Sequence, residues 1–115
     1  MERDAAIEHC LSRPGAYLDT PWGDVAVAKV GGKIFAFLGS PDDPLAVSVK
    51  NTPELVDEWR ARFPSHCGPG PYLAKTTWNR VIAHGRGAPD DDEIRELIDD
   101  SYDLIVAALP RSKRP

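Results

Sequence analysis

Asp24-Val25-Ala26-Val27-Ala28-Lys29-Val30 runs into Gly31-Gly32 and out again through Lys33-Ile34-Phe35-Ala36-Phe37-Leu38. Two apolar, β-branched and aromatic runs separated by two glycines predict a β-hairpin. A two-residue loop between paired strands needs positive φ angles, and glycine takes them without steric cost. With Val30 facing Lys33, unbroken pairing would set Ala28 opposite Phe35 and Val27 opposite Ala36. Downstream, Gly39-Ser40-Pro41-Asp42-Asp43-Pro44 reads as a loop. Leu45, Val47 and Val49 then alternate with smaller or polar residues up to Lys50, the period of a half-buried strand. A three-stranded antiparallel meander follows from this stretch.

Helices flank the meander. Ala6, Ile7, Cys10 and Leu11 recur at helical spacing and are closed off by Ser12-Arg13-Pro14-Gly15. Thr52 can cap a helix that starts at Pro53, which needs no amide partner there. Leu55, Val56, Trp59 and Phe63 form the stripe of that helix, and Pro64 stops it. Cys67-Gly68-Pro69-Gly70-Pro71 reads as an irregular connector, and Thr76 to Ala83 as a fourth strand. In the last helix Asp90 and Glu93 have capping-box spacing, and Ile94, Leu97, Ile98, Ser101, Tyr102, Ile105 and Leu109 share one face. The order is α-β-β-β-α-β-α, an α+β two-layer sandwich with helices on one face of an antiparallel sheet. Residues 1–110 make one domain, and the basic tail 111–115 is expected to fray.

Composition narrows the function. The chain has 115 residues, of which 42% are hydrophobic and 28% charged, ordinary values for a globular domain. The longest apolar run, Ile34 to Leu38, is far too short to cross a bilayer, and no secretory pattern follows Met1, so a cytoplasmic protein without membrane association is expected. The net charge is −4, but eight of the acids lie between Asp90 and Leu109 with the single base Arg95. The remainder carries thirteen bases against ten acids and is mildly basic.

Several groupings could in principle carry chemistry. His9-Cys10 and His66-Cys67 supply the ligand types of a zinc site, but neighbouring helical residues point about 100° apart, so Cys10 is better read as a core filler. Cys67 beside His66 lacks any sign of a lowered thiol pKa and reads as an exposed loop cysteine, leaving a cysteine-dependent enzyme as the least favoured class. The acids Asp90, Asp91, Asp92 and Glu93 suit the positive end of a helix dipole. Gly68-Pro69-Gly70-Pro71 cannot cradle phosphate, because its prolines lack N–H groups. No catalytic residue, cofactor or metal is expected. The remaining constellation is polar: Lys29, Lys33, Lys50, Lys75, Arg80 and Arg86 lie on or beside strands, with Tyr72, Trp78 and Asn79 among them. Cations and aromatic rings on one sheet face could meet phosphates and bases, unless the rings belong to the core.

Cys10-Leu11-Ser12-Arg13-Pro14-Gly15-Ala16, Pro21-Trp22-Gly23, Lys29-Val30-Gly31-Gly32-Lys33-Ile34-Phe35-Ala36, Tyr72 through Val81 and Leu97 through Ile105 occur in this order. Together they resemble the MmcQ/YjbR family. The resemblance implies a small bacterial α+β domain with a frataxin-like (CyaY-like) sandwich, also described as a double wing, and a role in DNA binding. Two departures stand out. Lys75-Thr76-Thr77 keeps one cation where such proteins often have more, and Trp22 replaces the usual phenylalanine. The expectation is a non-enzymatic, weak and non-specific DNA binder in which Lys29, Lys33, Lys50, Lys75 and Arg80 meet phosphates while Tyr72 or Trp78 packs on sugar or base. The alternative is a module that binds a small ligand or a basic protein partner, through the open sheet face or the acidic last helix.

Overall fold

Along residues 1–115 of the computed structural model the elements are α1 (Arg3–Leu11), β1 (Tyr17–Asp19), β2 (Ala26–Val30), β3 (Lys33–Gly39), β4 (Ala46–Lys50), α2 (Pro53–Arg62), β5 (Cys67–Gly68), β6 (Trp78–Ile82) and α3 (Asp91–Ala108). The strands form one sheet in the order β1-β2-β3-β4-β6-β5, and every pairing is antiparallel. The hairpin forms where the double glycine places it, with Gly31 at φ 57° and Gly32 at φ 82°. The strands β1 and β5 are additions to the expected order. With three and two residues they are too short for alternation to show. Through β5 the supposed connector is partly strand, and Cys67, expected to be exposed, is buried opposite Val81.

The hairpin register departs from unbroken pairing. Val30 faces Lys33 and Lys29 faces Ile34, but Ala28 then faces Ala36 and Val27 faces Phe37. Phe35 and Leu38 are extra residues on β3, at two bulges. A bulge turns neighbouring side chains towards the same side, and here Phe35, Ala36 and Leu38 are all fully buried. Burial of Phe35 against the Tyr102 ring, edge to face at 5.3 Å, accounts for the first departure.

The core lies between the sheet and the helices. Helix α3 is capped at Asp90 by the reciprocal bonds of a capping box, and Ile94, Leu97, Ile98, Ser101, Tyr102 and Ile105 are its buried face. Where the β3–β4 ladder ends at Ala36 and Val49, the Ser101 hydroxyl takes its place: it donates to the Phe35 carbonyl (2.6 Å) and accepts from the Lys50 N–H (2.9 Å). In α1, Ala6 and Cys10 are buried, but Leu11 at the helix end faces solvent instead of the core. Asp99 ties α1 to α3 by bonding His9 (2.7 Å) and facing Arg13 (3.5 Å). Helix α2 is capped by Thr52, buries Val56 and Trp59, and stacks Arg62 over the Trp59 ring at 4.6 Å.

The basic tail, expected to fray, lies against the end of α3. Arg111–Lys113 form a 3₁₀ turn, and the Arg114 guanidinium donates to the Leu109 and Ala107 carbonyls. Those carbonyls end a helix with no basic residue in its own last turn, so Arg114 supplies the cation that the negative end of the dipole favours. Gly31 suits the docking point, since at its positive φ a Cβ would stand 2.6 Å from Leu109 Cδ1 and 3.0 Å from the Lys113 carbonyl oxygen. No helix is long and apolar enough to cross a membrane.

Candidate functional site

Residues side by side on antiparallel strands project to the same face. The row Ala36–Val49–Asn79 and the pair Val47–Val81 point to the helices, where all five are buried. The row Phe37–Ser48–Arg80 and the pairs Lys50–Trp78 and Ala46–Ile82 therefore point away from the helices, as does Val27 beside Phe37. Two loops fold over this far face. One brings Trp22 parallel to Phe37 (6.2 Å between centroids, 8° between planes), and Phe37 in turn meets Trp78 edge to face at 5.8 Å. The other brings Pro71, Tyr72 and Leu73. It passes close over β4 and β6 at Gly70, where a Cβ would lie 3.6 Å from the Arg80 and Ser48 side chains.

Between the loops lies a cleft of about 620 Å³ lined by Trp22, Val25, Phe37, Pro71, Tyr72 and Leu73. A second recess of about 290 Å³ shares four of these residues and adds Ser48, Asp43 and Arg80. Trp22 is 63% exposed and Tyr72 wholly exposed. Tyr72 is also the one non-glycine residue at positive φ (62°), a region where a bulky side chain is strained.

The expected site residues divide. Lys50, Arg80 and Trp78 share the far face, with Trp78 half-buried against Phe37 and Arg80 exposed. Lys33 is exposed beside the hairpin turn but pairs with Val30, which is buried in the core, so it projects to the helix side and not to the aromatic face; Lys75 and Tyr72 are exposed on the second loop. None of Lys33, Lys50, Lys75 and Arg80 is ion-paired. Lys29 differs: on its strand it also faces away from the helices, but its ammonium is 2.8 Å from Asp19 on β1. The hydrogen bond raises the Lys29 pKa and lowers that of Asp19. Lys29 is thus a cross-strand partner rather than a free cation. Arg86 is exposed beyond the end of β6, and Asn79 belongs to the helix side, donating to the Val56 carbonyl and accepting from Arg60.

Sequence reasoning missed Trp22 as a site residue, and with it the cleft. An aromatic residue between Pro21 and Gly23 in a polar loop is the local signal that could have flagged it. On the opposite layer, α3 presents its acids. Asp91, Asp92, Glu93 and Asp99 have cationic partners, whereas burial, then Glu96, Asp103 and Asp99, raise the pKa of Asp100.

The other groupings do not assemble. No three His, Cys, Asp or Glu side chains gather where they could hold a metal ion, and His9 is committed to Asp99. Burial, with a smaller contribution from Asp99, pushes the Cys10 thiol up to about 12. Burial pushes Cys67 to about 11 against the opposing pull of Arg60 and Arg62, so neither sulfur is an activated nucleophile.

The fold and this face define a two-layer α+β domain whose helices cover one side of the sheet and leave an aromatic, cation-bearing surface on the other. The chain belongs to the YjbR family, whose model matches residues 11–104. It is 32% identical over 110 residues to the uncharacterized protein YjbR of Escherichia coli K12, covering 94% of this chain and 90% of that one. A crystal structure of a Deinococcus radiodurans protein with the DUF419 domain superposes with a TM-score of 0.85 at 27% identity, over 96% of this chain and 83% of that one. A Pseudomonas syringae protein superposes with a TM-score of 0.72 at 26% identity, over 90% and 98%.

Proposed function

We propose that this chain is a non-enzymatic DNA-binding module that works through the sheet face turned away from the helices. Lys50, Lys75 and Arg80 neutralise phosphates, and the exposed aromatic side chains pack against sugar or base. One observation carries this reading. Lys50, Lys75 and Arg80, none of them paired with a carboxylate, stand on or beside the aromatic face, while eight of the eighteen acids lie along α3 and its cap in the other layer. That separation attracts a polyanion to one side and repels it from the other, so it also orients the encounter.

With Lys29 held by Asp19 and Lys33 turned to the helix side, three cations remain. Each phosphate neutralised on a duplex steepens the dependence of log K on log salt by about 0.9, so a slope of about −3 is the limit, and binding is weak at physiological salt. The test is a fluorescence-anisotropy titration of labelled DNA across a salt series. Lys50→Ala with Arg80→Ala should flatten the slope by about two, whereas Lys29→Ala should change it little. Absence of binding even at low salt, or a slope unaffected by the Lys50/Arg80 pair, refutes the reading.

A further inference from the structure

We infer that the form of DNA this face takes is single-stranded, with unstacked bases laid in the cleft between Trp22 and Tyr72; this rests on the DNA-binding reading above. The composition of the cleft decides it. Five of its six lining residues are hydrophobic and two of them present exposed aromatic rings. A duplex hides the faces of its bases and offers phosphates and groove edges, so such a surface gains little from it. A single strand exposes those faces, and stacking on an aromatic ring is indifferent to which base is presented.

The two rings are placed for this. Trp22 has one face against Phe37 and is otherwise largely open, at 63% exposure. Tyr72 is held outside the fold by a backbone in the left-handed region, and its complete exposure leaves no internal packing to offset that strain. Strain that the fold itself does not use points to a ligand. At about 620 Å³ the cleft falls within the roughly 300–1,000 Å³ of small-ligand sites.

Charge complementarity selects a polyanion over an apolar peptide or a lipid chain. Arg80 lines the adjoining recess, Lys50 stands beside Trp78 on the same face, and Lys75 follows Tyr72 by three residues on the same loop. A backbone following Lys50 and Arg80 would turn its bases towards Trp22 and Tyr72. Asp43 is the one acid lining either recess, and it would repel a backbone that strayed to that end.

The experiment compares a labelled single-stranded oligonucleotide with the duplex of the same sequence by anisotropy, for the natural chain, Trp22→Ala, Tyr72→Ala and Tyr72→Phe. Both side chains are exposed, so circular dichroism should report an unchanged fold. The single strand should bind at least tenfold tighter than the duplex. Either truncation to alanine should weaken single-strand binding by about 5- to 100-fold and duplex binding by severalfold less, and Tyr72→Phe should retain it. Equal affinity for both forms, insensitive to Trp22 and Tyr72, overturns the inference while leaving the DNA-binding reading intact. Failure of both forms to bind defeats both. A dimer that Trp22→Ala separates into monomers would also overturn it, because the cleft would then be occupied by a second copy.

Discussion

Replacing Ser101 with alanine removes one oxygen and strands two backbone groups. The hydroxyl donates to the Phe35 carbonyl at 2.6 Å and accepts from the Lys50 N–H at 2.9 Å, bridging β3 and β4 where their own ladder stops. Ser101 is fully buried, so little water can take its place. A buried group left unpaired costs about 1–3 kcal/mol, so a loss of about 2–4 kcal/mol is expected for the pair. For a domain of this size that corresponds to a fall in Tm of about 8–16 °C. Urea unfolding followed by circular dichroism measures it directly. The slope should stay unchanged, and hydrogen exchange at the Lys50 amide should accelerate more than at neighbouring strand amides. A loss below about 0.5 kcal/mol, or Lys50 exchange as slow as in the parent, would mean that the two strands hold together without the bridge.

Gly31→Ala should destabilise by about 2 kcal/mol, from the positive φ and the 2.6 Å approach to Leu109, whereas Gly32→Ala, with open space around it, should cost about 1 kcal/mol. Equal costs in urea titrations would show that the C-terminal segment does not press on the turn. Asp100 has a folded-state pKa raised by burial and by neighbouring acids, so the folded chain holds its proton to higher pH than the unfolded one and the penalty is complete only above the raised value. Asp100→Asn should therefore stabilise by a few tenths of a kcal/mol at neutral pH, discounted for exposure. The gain should vanish below about pH 3.9 in parallel thermal melts. With thiols at about 12 and about 11, Cys10 and Cys67 should alkylate slowly at neutral pH until denaturant is added. Rapid native labelling of Cys67 would contradict its burial.

Elements held by local pattern were open to reading. The Gly31-Gly32 turn, the Thr52-Pro53 start and the Asp90–Glu93 cap each depend on residues a few positions apart, and all form as expected. Period-two alternation likewise placed Lys50 opposite in direction to Val49. What stayed hidden depends on distant partners. The bulge at Phe35 answers to Tyr102, the loss of Lys29 to Asp19 requires a strand of three residues, and Cys67 is covered because β5 pairs with β6. The cleft was illegible for the same reason: its walls come from two loops about fifty residues apart that meet only over the finished sheet.

The three tryptophans sit in graded surroundings: Trp59 inside, 3% exposed beneath Arg62, Trp78 partly covered by Phe37, and Trp22 open to solvent. Their intrinsic emission is accordingly a set of built-in reporters. A collisional quencher should extinguish the Trp22 contribution first, and the red-shift of Trp59 should mark global unfolding. Replacing Trp22 with phenylalanine would then leave a spectrum that follows folding alone, so occupancy of the outer surface and integrity of the interior could be followed separately in one unlabelled sample.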